Sequence, residues 1–140
     1  MDTGKSALGL DGNVAAAIGY PIGIIAIISL VMEKENRFVK FHALQSILLH
    51  VLFVILAIAV WILTIVLMIG AAAASAASSA GGAAGGIVGL LFSLIWLVVV
   101  IAYIGGLIFA AVKAYGGNMF KLPIIGNMAE KWTGTMGAAV

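Results

Sequence analysis

The sequence predicts an all-α membrane protein, a bundle of three transmembrane helices plus a short interfacial C-terminal helix. Apolar residues make up 64% of the 140 residues and charged residues only 9%, whereas soluble domains carry about 25% charged residues. Residues 12–32 and 41–112 contain no Asp, Glu, Lys or Arg. About 20 apolar helical residues cross a bilayer core, so the first stretch accommodates one crossing and the second accommodates two.

Each element of the bundle follows from this charge map. The predicted spans are residues 13–32, 44–69 and 87–112, all within one membrane domain over 13–132. The connector at 70–86 contains only Ala, Gly and Ser. Its Ala half could extend the second helix, whereas its glycines at 81, 82, 85 and 86 should interrupt a helix because Gly costs up to ~1 kcal/mol per helical position. The remaining parts are an N-terminal tail at 1–12, a cytoplasmic segment at 113–132 and a flexible C-terminal tail at 133–140.

The basic residues predict an orientation in the cell membrane. With three spans, loop 33–43 and the tail after Val112 share one side, and that side carries Lys34, Arg37, Lys40, Lys113, Lys121 and Lys131. The other side carries only Lys5. Cytoplasmic loops are enriched in Lys and Arg, so the N-terminus is expected outside and the C-terminus in the cytoplasm. The first apolar run is longer than a signal-peptide core and lacks a cleavage site, which favours a retained span.

The composition and the absence of known motifs argue against several classes of protein. The chain has no Cys, which excludes a disulfide-stapled secreted protein. The net charge of +2 forms no basic stripe for nucleic acid. The sequence contains no nucleophile elbow, zinc-protease or P-loop motif, so we expect neither an enzyme nor a cofactor or metal site.

A polar stripe enters the second predicted span. His42, Gln45, Ser46 and His50 fall at i, i+3, i+4 and i+8, which places them on one side of a helix. Polar residues at membrane depth are candidates for function, and here they would line a path or contact a partner. The alternative is a buried structural network that holds neighbouring helices of the same chain.

Small residues repeat every four positions on the other two predicted spans. They are Ala15, Gly19 and Gly23 on the first and Ala102, Gly106, Ala110 and Ala114 on the third. Such stripes let helix backbones approach closely. They are compatible with packing inside the chain and with homo-oligomers.

Two segments on the predicted cytoplasmic side carry the densest patterns. Residues 33–46 read E-K-E-N-R-F-V-K-F-H-A-L-Q-S, and residues 113–131 read K-A-Y-G-G-N-M-F-K-L-P-I-I-G-N-M-A-E-K. The pair resembles the signature of the Tic-twenty-like family of small membrane proteins, with Lys40 in place of Arg and Asn127 in place of Asp. The family is named after a subunit of the chloroplast inner-envelope protein translocon. The resemblance implies a component of a transport or translocation assembly.

The residues expected to form an interaction or structural motif lie in these two segments. They are Glu33, Asn36, Arg37, Phe38, His42, Gln45, Lys113, Tyr115, Lys121, Pro123, Gly126 and Glu130, with Ser46 and His50 as intramembrane polar residues. We expect the segments to contact each other through at least one ion pair, with Arg37 as the cation. The residues after Pro123 predict a short amphipathic helix that lies on the membrane or docks on loop 33–43.

The sequence therefore leaves two functions open. One is a transport or translocation component whose polar stripe faces a partner or a path. The other is a structural or accessory subunit, without activity of its own, that packs against a larger membrane complex. Three helices do not easily enclose a pore, so both functions imply the lipid bilayer and other membrane subunits, or a homo-oligomer, as partners.

Overall fold

The computed structural model describes residues 3–78 and 80–137, and these residues fold into five α-helices. The helices are α1 (Gly12–Gly19), α2 (Gly23–Met32), α3 (Arg37–Ala77), α4 (Ala80–Tyr115) and α5 (Ile125–Gly137). The prediction of an all-helical protein is confirmed. The chain divides into two compact units, one formed by residues 1–51 and 104–140 and the other by residues 52–103.

Two helices, not three, are long and apolar enough to cross a membrane among the described residues. They are α3, with 41 residues, and α4, whose described apolar part covers Gly85–Tyr115. Both extend beyond the predicted spans 44–69 and 87–112. The predicted Ala/Gly/Ser connector is mostly helical, since α3 continues to Ala77 and α4 begins at Ala80. Alanine has the highest helix propensity, and this outweighs the cost of the glycines.

The prediction of a continuous span at 13–32 is not supported, because the structure breaks this segment at Tyr20–Ile22. Pro21 has no N–H group to donate to the carbonyl one turn earlier. The N–H of Tyr20 instead bonds the Ala17 carbonyl at 3.3 Å. The products are two short helices, α1 with 8 residues and α2 with 10. At 1.5 Å per residue each is about 12–15 Å long, half a bilayer core or less.

The two short helices form a hairpin. A Cβ placed on Gly19 would lie 3.5 Å from the Cβ of Ala26, so α1 and α2 are in van der Waals contact near the turn. At the open end, the backbone N–H of Ala7 donates to Oε2 of Glu33 at 2.8 Å. The start and the end of the first apolar segment therefore meet.

Two further contacts hold the N-terminal residues at this end of the first unit. The tail was expected on the opposite side of the membrane from loop 33–43. The Asn36 amide donates to the carbonyl of Thr3 at 2.7 Å, and the Asn13 amide donates to the carbonyl of Tyr115 at 2.9 Å. The N-terminal residues thus lie beside the start of α3 and the end of α4.

The core of the first unit consists of two apolar clusters. In one, Ala16 and Tyr20 of the hairpin pack against Ala110 and Ala114 of α4. The second part of the small-residue stripe on α4 is therefore used inside the chain. In the other cluster, Phe41 and Leu44 of α3 pack against Ala129 of α5.

The helix α5 docks on α3 through one side. Ile125, Ala129 and Thr133, at i, i+4 and i+8, are buried, whereas Met128 and Trp132 are 40% and 42% exposed. The helix continues to Gly137, so residues 133–137 of the predicted flexible tail are helical. Residues 138–140 lie outside the described residues.

The second unit is a pair of helical segments with mostly outward-facing apolar side chains. Phe53 and Tyr103 stack with ring centroids 4.0 Å apart, and Phe92 is buried. Large apolar side chains of both segments are 58% to 66% exposed, for example Ile55, Trp61, Val66 and Val98. Surfaces of this kind suit lipid or the helices of a neighbouring protein.

Candidate functional site

The site begins at the N-terminus of α3, which is fixed by side-chain hydrogen bonds. The Oδ1 atom of Asn36 accepts from the backbone N–H of Val39 at 3.2 Å. This is the bond of an N-cap residue, which satisfies a backbone donor that the first helical turn leaves without a partner. Glu33 is buried and accepts the backbone N–H groups of Ala7 and Asn36. These bonds set the position from which the polar stripe of α3 starts.

The polar stripe lies in the interior of the first unit. His42, Gln45 and Ser46 are 1%, 0% and 0% exposed, and Tyr20 next to them is 0% exposed. A buried polar group without a hydrogen bond costs about 1–3 kcal/mol. The arrangement of donors and acceptors around these four side chains therefore decides whether the site is stable.

The hydrogen bonds of His42 fix its tautomer. Its Nε2 lies 3.0 Å from the carbonyl oxygen of Asn118, and a carbonyl only accepts, so Nε2 carries a proton. Its Nδ1 lies 2.9 Å from the hydroxyl of Tyr20. In the neutral imidazole Nδ1 is an acceptor, so the Tyr20 hydroxyl donates to it.

Gln45 completes the same network. Its Nε2 donates to the Tyr20 hydroxyl oxygen at 2.7 Å and to the Phe120 carbonyl at 3.1 Å. Its Oε1 accepts from the backbone N–H of Leu122 at 3.0 Å. The two amide hydrogens and the carbonyl oxygen all have partners, and this arrangement allows only one orientation of the amide.

The backbone partners are supplied by the segment that follows α4. Gly117 has a φ of 73°, and the N–H of Asn118 bonds the carbonyl of Lys113 while the N–H of Gly117 bonds that of Ala114. This is the Schellman motif that ends many helices, with glycine in the left-handed position. It turns the chain back along α3, so that residues 118–122 reach His42 and Gln45.

Gly126 allows this close approach. A Cβ at this position would lie 2.7 Å from the Cα of Lys121 and 2.8 Å from Oε1 of Gln45. Both distances are shorter than real Cβ contacts, so a side chain would displace the segment from Gln45. The glycine in the predicted motif is therefore explained by packing.

Ser46 connects the stripe to the break between α1 and α2. Its hydroxyl donates to the carbonyl of Gly19 at 2.8 Å, the last residue of α1, where helical carbonyls lack a partner within the helix. One turn further along α3, Nδ1 of His50 lies 2.8 Å from the Ser46 carbonyl. The His50 ring also approaches Gly23, since a Cβ there would lie 3.4 Å from Nε2.

Aromatic rings enclose His42. The ring of Phe38 lies 4.6 Å from the imidazole and that of Phe41 5.1 Å, both edge to face. The Tyr20 ring lies at 5.9 Å in a similar orientation. This geometry is favourable for aromatic pairs and keeps water away from the network.

The charged residues of the predicted motif lie outside this network. Arg37 is exposed, and the prediction that it forms an ion pair with the segment at 113–131 is wrong, because the acid of that segment, Glu130, has Lys121 as its partner. Glu33 holds backbone N–H groups, and Glu130 pairs with Lys121 at 2.7 Å. Lys113 lies over the ring of Phe109 at 5.4 Å.

The last two members of the motif act through their backbone. Tyr115 is 64% exposed, and its carbonyl accepts from Asn13. The carbonyl of Pro123 accepts from the N–H of Ile125 at 2.7 Å, across Ile124, which has a φ of 67°. This tight turn starts α5.

Sequence reasoning missed Tyr20, the residue that links His42 and Gln45. A polar aromatic residue directly before a proline inside an apolar run was the available signal. The carbonyls of Asn118 and Phe120 were also missed, because backbone acceptors leave no mark in a sequence. Among residues 3–78 and 80–137, no group of three His, Cys, Asp or Glu side chains is arranged to hold a metal ion.

Comparison with known proteins identifies the family. The profile of the magnetosome magnetite crystal formation protein family matches residues 7–129. The chain belongs to this family. No solved structure matches the chain.

Archaeal membrane proteins are similar along almost the whole chain. A UPF0132 membrane protein of Methanocaldococcus jannaschii is 37% identical over 135 residues, which cover 93% of this chain and 96% of the relative. Another from Archaeoglobus fulgidus is 37% identical over 123 residues, or 87% and 95% of the two chains. A second M. jannaschii protein is 28% identical over 127 residues, or 90% and 73%. The chain is therefore a small membrane protein of the magnetosome crystal formation family.

These matches correct the resemblance drawn from the two motifs. The Tic-twenty-like assignment is wrong, since the family profile and the relatives give it no support. The motif residues belong instead to the fold described above. His42, Gln45 and Gly126 form the contact between α3 and the segment after α4.

Proposed function

We propose that this protein is a structural or accessory subunit of a membrane assembly and catalyses no reaction of its own. The observation that supports this proposal is the closed hydrogen-bond network of Tyr20, His42 and Gln45. Its donors and acceptors are used within the chain, and its side chains are at most 1% exposed. A transport path needs polar groups that water or a substrate can reach.

The outer surface fits the same role. The described parts of α3 and α4 present large apolar side chains along both helices, such as Ile58, Ile62, Ile69, Leu90, Leu94 and Ile101. In a bilayer these side chains contact acyl chains or the helices of other subunits. The description of the family refers to magnetite crystal formation, and an accessory subunit would serve such a process by organising a membrane complex.

The proposed orientation places both ends of the described chain at the cytoplasmic face. The first unit contains every Lys and Arg of the chain, 7 in total, and residues 41–112 contain none. The excess of Lys and Arg in cytoplasmic segments therefore favours the cytoplasm for the starts of α1 and α3 and the end of α4.

Native purification tests the accessory role. The tagged protein would be extracted gently from its own membrane, with and without prior crosslinking, and its companions identified. We expect a stoichiometric membrane-protein partner or a homo-oligomer. Recovery of a monomer alone in both preparations would contradict the proposal.

Reconstitution tests the competing transport function. Purified protein in liposomes should give no proton or ion flux above that of empty liposomes. His50→Leu is the informative variant, because His50 lies at the inner end of the stripe and is only half-buried. A flux that this variant abolishes while it keeps its thermal unfolding midpoint would establish a path and overturn the accessory role.

A further inference from the structure

The α1–α2 hairpin has both of its ends at one end of the first unit. Ala7 and Glu33 are joined by a hydrogen bond of 2.8 Å, although a straight helix over the segment between them would be about 38 Å long. Two further bonds, Asn36 to Thr3 and Asn13 to Tyr115, hold the same end. A chain that enters the membrane at Gly12 therefore leaves it again at Glu33 on the side where it entered.

The turn of the hairpin lies against the part of α3 that runs into the apolar stretch. The Gly19 carbonyl is bound by Ser46, and Gly23 approaches the ring of His50. Ser46 and His50 lie about 14–20 Å along the axis from Arg37, at 1.5 Å per residue. The N–H groups of Tyr20 and Ile22 bond the carbonyls of Ala17 and Ile18. These backbone groups and the Gly19 carbonyl thus find partners within the protein, as irregular backbone at membrane depth requires.

The outer face of α2 is strongly apolar and exposed. Ile24, Ile27 and Val31 are 66%, 52% and 75% exposed, and residues 12–32 contain no charged side chain. The basic residues Lys34, Arg37 and Lys40 follow α2 directly in the sequence. The helices α3 and α4 carry exposed apolar side chains as well. A contiguous apolar face of this kind in water would be a site of aggregation.

We propose that α1 and α2 form a re-entrant hairpin whose apolar face is seated among the acyl chains of one leaflet. The chain then crosses the membrane twice, through α3 and α4. The hairpin enters the leaflet that contains the start of α3 and the end of α4. This inference goes beyond the accessory role and does not depend on it. The cytoplasmic orientation proposed above only names which leaflet the hairpin enters.

Single-cysteine labelling tests the topology, and the natural absence of Cys makes every label specific. Ala7→Cys, Ser78→Cys and Asn127→Cys report on exposed positions near the hairpin, between α3 and α4, and on α5. We expect a membrane-impermeant maleimide to reach Ser78→Cys in intact cells and the other two only after permeabilisation. The hairpin would be overturned if Ala7→Cys reacted from the same side of the membrane as Ser78→Cys while Asn127→Cys reacted from the other side.

The reverse pattern separates the two proposals. If Ala7→Cys and Asn127→Cys react in intact cells and Ser78→Cys only after permeabilisation, the cytoplasmic orientation fails. The hairpin is then supported and enters the outer leaflet.

A spin label tests the lipid contact in the purified protein in vesicles of neutral and anionic phospholipid. Labels at Ile24→Cys and Val31→Cys should be accessible to oxygen and shielded from a water-soluble nickel reagent, as should a reference label at Ile55→Cys on α3, whose side chain is 58% exposed. Accessibility to the nickel reagent equal to that of Ala7→Cys would show a hairpin in water. Shielding of the two α2 labels from both oxygen and the nickel reagent would show that a second copy of the protein, and not lipid, covers this face. Either result would overturn the proposal.

Discussion

The hydroxyl of Tyr20 lies 2.9 Å from Nδ1 of His42 and accepts a bond of 2.7 Å from Gln45. Tyr20 stands directly before the proline that breaks the first apolar segment, and His42 stands in the second turn of the long helix α3. One hydroxyl therefore joins the hairpin to α3, and through Gln45 to the segment after α4.

Tyr20→Phe should destabilise the protein by about 1–3 kcal/mol. The substitution leaves Nδ1 of His42 and one N–H of Gln45 buried without partners, and each such group carries a desolvation cost. Tyr115→Phe is the matched control, because this side chain is 64% exposed and its loss of a hydroxyl should cost less than about 0.5 kcal/mol. Unfolding in mild detergent, followed by circular dichroism, measures both variants. Equal stability of the two would contradict the network.

The two histidines should carry opposite tautomers. His42 bonds the Asn118 carbonyl through Nε2, and His50 bonds the Ser46 carbonyl through Nδ1. Because a carbonyl accepts only, the neutral rings hold their protons on Nε2 and on Nδ1, respectively. ¹⁵N shifts and two-bond couplings of labelled imidazoles report the protonated nitrogen, and His50→Leu assigns the signals. Two identical tautomers would show that one of these bonds is absent.

Part of this arrangement was predictable from the sequence, and the reason is local periodicity. The spacing of His42, Gln45 and Ser46 places them on one side of a helix whatever they contact. The long apolar runs likewise predict α3 and α4. These features depend only on residues that are close in sequence.

The hairpin could not be predicted in the same way. Pro21 within an apolar run is compatible with a kinked span and with a full turn, and the local sequence does not distinguish them. The turn is decided by contacts distant in sequence, Ser46 with Gly19 and Glu33 with Ala7.

The Ala half of the connector extends α3 to Ala77, as the sequence allows. The prediction that the later glycines interrupt a helix is wrong, because Gly82, Gly85 and Gly86 lie within α4.

Gly126→Ala should destabilise the contact between α5 and α3 by about 1–3 kcal/mol, the usual cost of overpacking. The new Cβ would meet the backbone of Lys121 at 2.7 Å, which a side-chain rotation cannot relieve. Gly134→Ala in the same helix is the control, because nothing lies within 4 Å of its Cβ position. Alanine is the better helix former, so this variant should be neutral or stabilising by up to ~1 kcal/mol. If the two variants change the unfolding midpoint alike, the close approach at Gly126 is not present.

Ser46→Ala tests the hydrogen bond that stabilises the turn between α1 and α2. The substitution removes the donor to the Gly19 carbonyl, which then lies at the end of α1 without a partner. Hydrogen bonds between membrane helices contribute about 0.6 kcal/mol on average and up to about 1.7, and we expect a loss near the upper value because Ser46 is 0% exposed. Ser75→Ala is the control, since that hydroxyl bonds the carbonyl of Ala71 in its own helix and is exposed. The loss should also loosen the hairpin, so amide exchange at Gly19–Gly23 should accelerate in Ser46→Ala and stay unchanged in Ser75→Ala. Unchanged exchange in both would mean that Pro21 alone sets the turn and that Ser46 does not hold it.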